Sequence, residues 1–267
     1  DRVGSYFEPF LGGGSVLIEF LEQLEENKIN KNTSGVIYAN DINPIVVVFY
    51  CVIQQKPKEF VRALKRLAKE YEQQSNKEEH YYTLRDKFKA GKGSVVNKAA
   101  LFFILNKTCY RGLYRENKKG KFNVAYGNYR KPRLFNDEIR AMIYRLHYLF
   151  TKYNVRFCCK DESTFLATIE KNGFGSLDTM YLDPPYIGVQ FGQYTQSGFS
   201  LSEHNHLFSC CRNTRIPRLI MSNSDSKYVY KNFRSCPGYS IRRLKVRHTI
   251  NSKHPETIAN EVLVVKS

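Results

Sequence analysis

Asp178-Thr179-Met180-Tyr181-Leu182-Asp183-Pro184-Pro185-Tyr186 is a short apolar run closed by an acid, two prolines and an aromatic residue. A brief apolar run bounded by turn residues reads as a buried strand. The prolines fix φ and remove two backbone donors, so the strand must end there with its carbonyls pointing outward. Four further runs have the same form: Ser5–Glu8, Val36–Asp41, Val155–Asp161 and Arg218–Asn223. Helical patterns over Ser15–Glu26 and Leu201–Asn213 lie between some of them. The alternation predicts an α/β sheet, closed by a late hairpin from Tyr239–Val246 and Glu261–Val265 with a long basic connection. In such sheets ligands sit beyond the carboxyl ends of the strands. Glu8, Asp41, Asp161 and Asp183 all fall there.

The chemistry available at Asp183 is specific. An exocyclic aromatic amine is a poor nucleophile because its lone pair is delocalised into the ring. The Asp183 carboxylate and the Pro184 carbonyl are two acceptors for its two hydrogens, and Tyr186 is placed to stack on a base, as pockets for flipped bases require. The ordinary alternative is a strand-ending Pro-Pro turn with a surface Asp.

Glu8-Pro9-Phe10-Leu11-Gly12-Gly13-Gly14-Ser15 follows the first strand and opens a helix. Its glycines allow a tight turn and close approach of a ligand to backbone. It is neither GxGxxG nor a phosphate loop ending in GK[ST]. Asp41, ending the second strand, suits a ribose diol. Singly these are a glycine turn and an N-cap. At consecutive strand ends they point to a nucleoside cofactor without phosphates, which S-adenosylmethionine fits.

Residues 52–148 break the rhythm and read as an inserted helical module, with helices over Pro57–Gln74, His80–Lys89, Asn97–Leu105 and Asp137–Phe150. Lys and Arg total 42 against 25 Asp and Glu, a formal charge of +17, which attracts polyanions. The basic residues cluster at Arg111–Arg133, interleaved with Tyr110, Tyr114, Phe122, Tyr126 and Tyr129, and again at Arg242–His248. Cations among aromatics suit phosphate contact with base stacking. The seven cysteines, an odd number with no CxxC pair, signal neither a disulfide framework nor a zinc ribbon, so no metal is expected. No run approaches a membrane span and no signal peptide is evident.

Together these motifs resemble the α-class amino-methyltransferases, and within them the Dam-like DNA adenine-N6 methyltransferases. The order EPFLGGGS, ANDINP, helical insert, YLDPPY carries the likeness. Asn106–Asn117 resembles the family's NR..YNGLCRYN run and Lys119–Gly127 its GEFNVPFG. Ser222-Asn223-Ser224-Asp225 resembles its SNHD, and Arg247–Ser252 with Glu261–Leu263 its RRSISSN…ELL. Arg111 stands where the family often has Asn, Ala125 where it has Pro, and Asn128 where it has Arg.

The resemblance implies a Rossmann-like, S-adenosylmethionine-dependent sheet from residues 1–51 and 149–267, with 52–148 as a target-recognition module. Asp183, Pro184, Pro185 and Tyr186 would be catalytic. Glu8, Phe10, Gly12 and Gly14 would shape the cofactor site, with Asp41 on the ribose and Asp161 near the cofactor's adenine. Tyr110, Arg111, Leu113, Arg115, Lys118, Lys119, Lys121 and Asn123 would meet double-stranded DNA. Tyr110 would stack or wedge, Leu113 would touch a thymine methyl, and Arg115 would read a guanine. The implied reaction is methylation of a flipped adenine, in GATC or a close variant. The alternatives are cytosine-N4 or RNA adenine methylation, or a non-catalytic DNA-binding relative. The chain starts at Asp1 directly in a strand-like run, which points to something upstream having been removed; the W-x-GGK-like segment that usually opens the family is not among these residues. A cytoplasmic, nucleoid-associated protein is expected in a prokaryotic or viral setting; the oligomeric state is left open, a monomer on DNA being compatible with the resemblance.

Overall fold

The computed structural model describes residues 2–31, 35–187, 199–247 and 258–267. The described residues divide into two compact units: 2–31, 35–42, 154–187, 199–247 and 258–267 form the first, and 43–153 the second.

The first unit is a Rossmann-like α/β sheet. In chain order it holds β1 (Arg2–Val3), β2 (Tyr6–Glu8), α1 (Ser15–Glu25), β3 (Asn30–Lys31) and β4 (Ile37–Asn40). The second unit then supplies α2 (Pro44–Gln55), α3 (Pro57–Gln73), α4 (Lys77–Lys89), α5 (Val95–Thr108) and α6 (Asp137–Lys152). The first resumes with β5 (Val155–Cys158), α7 (Glu162–Lys171), β6 (Thr179–Leu182), α8 (Leu201–Asn213), β7 (Arg218–Ser224), α9 (Lys227–Phe233), β8 (Tyr239–Arg247) and β9 (Ile258–Lys266). Seven strands form one sheet in the order β5-β4-β2-β6-β7-β9-β8, while β1 and β3 pair apart. The five strands from β5 to β7 in that order are parallel, and β9 runs antiparallel to β7 and β8. The chain moves outward from β2 in one direction, then returns to start again at β6. The crevice between those two strand ends is therefore the topological switch point, where doubly wound sheets bind ligands.

One sheet face is apolar. Phe7, Met180, Leu182, Leu219, Met221, Val262 and Val264 pack against Phe165, Leu207, Phe208, Val229 and Phe233 from α7, α8 and α9. The hairpin read from the late strands is the β8–β9 pair. The part of the RRSISSN-like segment at 248–257 lies outside the described residues.

The second unit starts at Asn43 rather than at 52 and ends at Tyr153 rather than at 148. The reason is α2, which packs against α3, α5 and α6. Its sequence is apolar all round, so no helical periodicity marks it. Asn43 caps it through Ile45 N–H (3.1 Å), and Pro44 stands at its first position, where a missing donor costs nothing. The segment between α5 and α6 is an ordered loop. It opens with a single 3-10 turn, Tyr110–Gly112, and is pinned by the bridges Cys109–Tyr126 and Glu116–Phe122. Tyr81 Oη and Arg85 also donate to the Val124 carbonyl at 2.8 and 3.1 Å. Among the described residues no helix is long and apolar enough to cross a membrane.

Candidate active site

Strand register builds the site. Tyr6 lies beside Thr179, Tyr181 beside Ile220, Ser222 opposite Leu263 and Ser224 opposite Glu261. Because side chains alternate across a strand, Tyr6, Glu8, Tyr181, Ser222 and Glu261 share the face away from the apolar core. Asp183, one residue past β6, continues that face. Ser222 Oγ donates to Asp183 Oδ1, and Tyr181 Oη donates to Ser222 Oγ at 3.3 Å. Tyr186 Oη donates to Glu261 Oε2 at 3.1 Å, which fixes the ring after the Pro-Pro turn.

Two carboxyls there are perturbed. Asp183 is held above its ordinary pKa, first by lost hydration and further by Glu261, against hydrogen bonds from Ser222 and Tyr186. The residue as a whole is exposed. Its hydration nevertheless depends on the protein volume around the charge rather than on surface area, so the upward direction stands. Glu8 is 2% exposed. Burial, with Asp183 adding, lifts its pKa to about 8, against the pull of Tyr6 Oη, which donates to it at 2.6 Å. Burial thus favours the neutral form of Glu8. A folded-state pKa above the unfolded one favours folding below about 4.5, and that contribution fades as pH rises through about 8. The Glu8→Gln variant should therefore lose less stability between pH 5 and pH 9 than wild type, read as the shift of urea midpoint with pH. Parallel curves for the two proteins would show Glu8 to be ionised in the folded state.

The turn after β2 is organised by Asn40, itself 1% exposed. Its amide donates to the carbonyls of Pro9 and Lys160, both at 3.0 Å, and its Oδ1 accepts from Lys160 N–H at 3.0 Å. One side chain so ties together the loops following β2, β4 and β5. Gly12 and Gly14 have φ of 48° and 66°, the left-handed region that favours glycine. Gly12 N–H donates to Asp41 Oδ2 at 2.8 Å. A Cβ at Gly12 or Gly13 would meet nothing within 4 Å. The turn therefore opens onto space beside a carboxylate, and this fits the nucleoside of S-adenosylmethionine. Phe10 packs edge-on against Phe199 (6.0 Å between centroids). Asp161 is the N-cap of α7, accepting from Thr164 N–H (2.8 Å) and Ser163 Oγ (2.6 Å); these bonds lower its pKa to about 2.

In the second unit Tyr110 is 41% exposed and carries the Arg111 guanidinium over its ring. Arg111 has φ of 57° and its N–H donates to Tyr129 Oη at 2.8 Å. Arg115 is exposed and braced by Asn123, Nε to Oδ1 at 2.9 Å. Leu113 is half-buried, and Lys118, Lys119 and Lys121 are exposed, Lys121 Nζ bonding the Lys89 carbonyl at 3.1 Å. Tyr114 packs inward on Phe102 and Phe122 and donates to Glu116.

A family model described as D12 class N6 adenine-specific DNA methyltransferase matches residues 1–250. The chain belongs to that family. Type II methyltransferase M.MjaIII of Methanocaldococcus jannaschii is 30% identical over 262 residues, 94% of this chain and 84% of the relative. DNA adenine methylase of Salmonella typhi is 30% identical over 252 residues, 92% of this chain and 80% of the relative. A solved S-adenosylmethionine-dependent methyltransferase of Agrobacterium tumefaciens aligns at a TM-score of 0.30 and 14% identity, covering 70% of this chain and 60% of that one. That last likeness adds nothing to the sheet order.

In this adenine methyltransferase the sheet brings Glu8 and Asp183 together across the switch point, with Phe10, Gly12, Gly14 and Asp41 at the adjoining turn. Sequence reasoning missed the side chains that brace them: Tyr6, Asn40, Tyr181, Glu261 and the role of Ser222. Their signal was period-two spacing, Tyr6 with Glu8 and Tyr181 with Asp183, which becomes readable only once the strands are paired.

Proposed function

We propose that this D12 class methyltransferase transfers a methyl group from S-adenosylmethionine to N6 of an adenine flipped out of double-stranded DNA, in GATC or a close variant. The observation that carries the reading is the Asp183 turn, braced by Ser222 at the switch point, beside the Gly12–Gly14 turn and Asp41. S-adenosylmethionine supplies an electrophilic methyl on a sulfonium. The chain supplies the rest. Gly12 and Gly14 let it approach the backbone, Glu8 and Phe10 wall the site, Asp41 accepts from a ribose diol, and Asp161 borders the adenine end. Asp183 and the Pro184 carbonyl accept from the amine, and the Tyr186 ring, held by Glu261, stacks on the base. Localising electron density on the nitrogen is electrostatic and positional catalysis. The raised pKa of Asp183 also suits it to take the proton the amine must lose.

Residues 43–153 are the DNA-reading unit in this account. Tyr110 wedges, Leu113 packs on a thymine methyl, and Arg115, stiffened by Asn123, reads guanine N7 and O6. The test is plasmid DNA from expressing cells, hydrolysed to nucleosides and, separately, cut with GATC-specific endonucleases that do and do not tolerate adenine methylation. N6-methyladenosine with protection from the sensitive enzyme is expected. N6-methyladenosine with full cutting keeps the reaction and overturns the address. Arg115→Ala should cost about 1–3 kcal/mol of discrimination at one outer base pair, read as relaxed methylation at sites differing there. A uniform loss across sites would make Arg115 a phosphate contact instead.

A further inference from the structure

Pro184 and Pro185 have no backbone N–H, so the turn carrying Asp183 can be anchored from outside only through its carbonyls or side chains. The Pro185 carbonyl has such an anchor. His204 Nε2 lies 2.7 Å from it, and His204 Nδ1 lies 2.9 Å from the carbonyl of Ser200. The residue is 3% exposed. It stands one turn into α8, where Ser200 and Glu203 form a reciprocal capping box that locks the helix start. The ring packs against Phe199 in a T-shaped contact, 4.6 Å between centroids, and Phe199 in turn packs on Phe10 of the glycine turn.

We propose that His204 is a positioning residue for methyl transfer, donating from Nε2 to the Pro185 carbonyl. This deepens the functional reading above and rests on it. A carbonyl only accepts, so the contact requires a proton on Nε2; the Ser200 carbonyl beside Nδ1 would take a second proton, so both contacts are hydrogen bonds only in the doubly protonated ring, and only the one on Nε2 holds the turn. With the Pro185 carbonyl engaged, the Pro184 carbonyl is the one left to the amine, and Asp183 is held at the end of a turn that cannot rock. The Phe10–Phe199–His204 chain also ties the glycine turn to the reacting turn, so the two parts of the site keep their spacing. Misplacement of reacting groups by about 1 Å can cost on the order of a hundredfold in rate.

The experiment compares wild type, His204→Phe and His204→Gln in single-turnover assays with tritium-labelled S-adenosylmethionine and plasmid DNA, alongside separate titrations of each ligand. Phe keeps an aromatic ring against Phe199 without the donor, and Gln keeps a donor without the ring. The Phe variant should transfer methyl at least about tenfold more slowly while binding both ligands within about threefold of wild type. The Gln variant should regain most of the rate. A Phe variant as fast as wild type, or Phe and Gln variants equally slow, overturns the proposal. Nitrogen-15 spectra of the histidine rings in the wild-type protein test it without any variant: Nε2 of His204 should be protonated, and a bare Nε2 overturns it. Wild type that transfers no methyl would overturn the functional reading instead, and the ring spectra would still decide the contact.

Discussion

Asp183→Ala should reduce methyl transfer by about 10²–10⁴-fold, the range for losing a positioned acid–base or electrostatic group at a reacting centre. The reason is geometric. Among the described residues Asp183 is the carboxylate that follows β6 at the switch point, fixed by the Ser222 hydroxyl, which Tyr181 supports from behind. Alanine leaves the Pro184 carbonyl as a single neutral acceptor. Asp183→Asn should fall between the two, because its amide oxygen still accepts but carries no charge. Stability should change little, since the substitution removes a carboxylate that is poorly hydrated in the folded state. Binding of S-adenosylmethionine, measured by titration, should stay close to wild type, because Gly12, Gly14 and Asp41 lie on other strand ends. Transfer by the alanine variant at near wild-type rate would remove Asp183 from the chemistry. Loss of cofactor binding in step with rate would make it a structural residue.

The sheet was legible because each parallel strand is an apolar run stopped by a residue that cannot continue it. Glu8, Asp41, Asp161 and Asp183 fell at strand ends in the one-dimensional reading, and β2, β4, β5 and β6 put them there. Strand order was not legible, and it matters most, since only the pairing of β2 with both β4 and β6 creates the switch point. Helix α2 went unread because Pro44–Ile53 is apolar on every side. Such a run cannot be told from a strand or a buried helix by period alone.

The site divides in the same way. Residues of contiguous motifs, such as Asp183–Tyr186 and Gly12–Gly14, could be proposed for the site in advance. Their supports come from distant positions: Ser222 is separated from Asp183 by 39 residues, Glu261 from Tyr186 by 75, and Asn40 from Lys160 by 120. No local pattern announces such partners. Asp161 shows the converse. Its carboxylate caps α7 through Ser163 and Thr164, a structural task that accounts for an acid at that position whether or not a cofactor lies beside it.

DNA affinity should fall steeply with salt. A protein carrying +17 that neutralises six to ten phosphates loses roughly 10³–10⁵ in affinity between about 50 and 200 mM salt, because condensed counterions are released on binding. Each phosphate contact removed should flatten the slope of log affinity against log salt by about 0.9. Lys118, Lys119 and Lys121 lie on the turn of the loop between Glu116 and Phe122, all exposed. Their joint replacement by Gln should flatten the slope, as read by fluorescence anisotropy over a salt series. The three should not contribute equally. Lys121 Nζ bonds the Lys89 carbonyl, so part of its role is to tie the loop to α4, and Gln can keep that bond. Lys119 should therefore account for more of the change than Lys121. The triple variant should weaken GATC and unrelated duplexes alike, since phosphates carry no sequence. Arg115→Ala should alter the ratio between sequences and leave the slope within about one unit. An unchanged slope in the lysine variant would move the phosphate path to the other basic stretch, where Arg242, Arg243 and Lys245 stand exposed along β8.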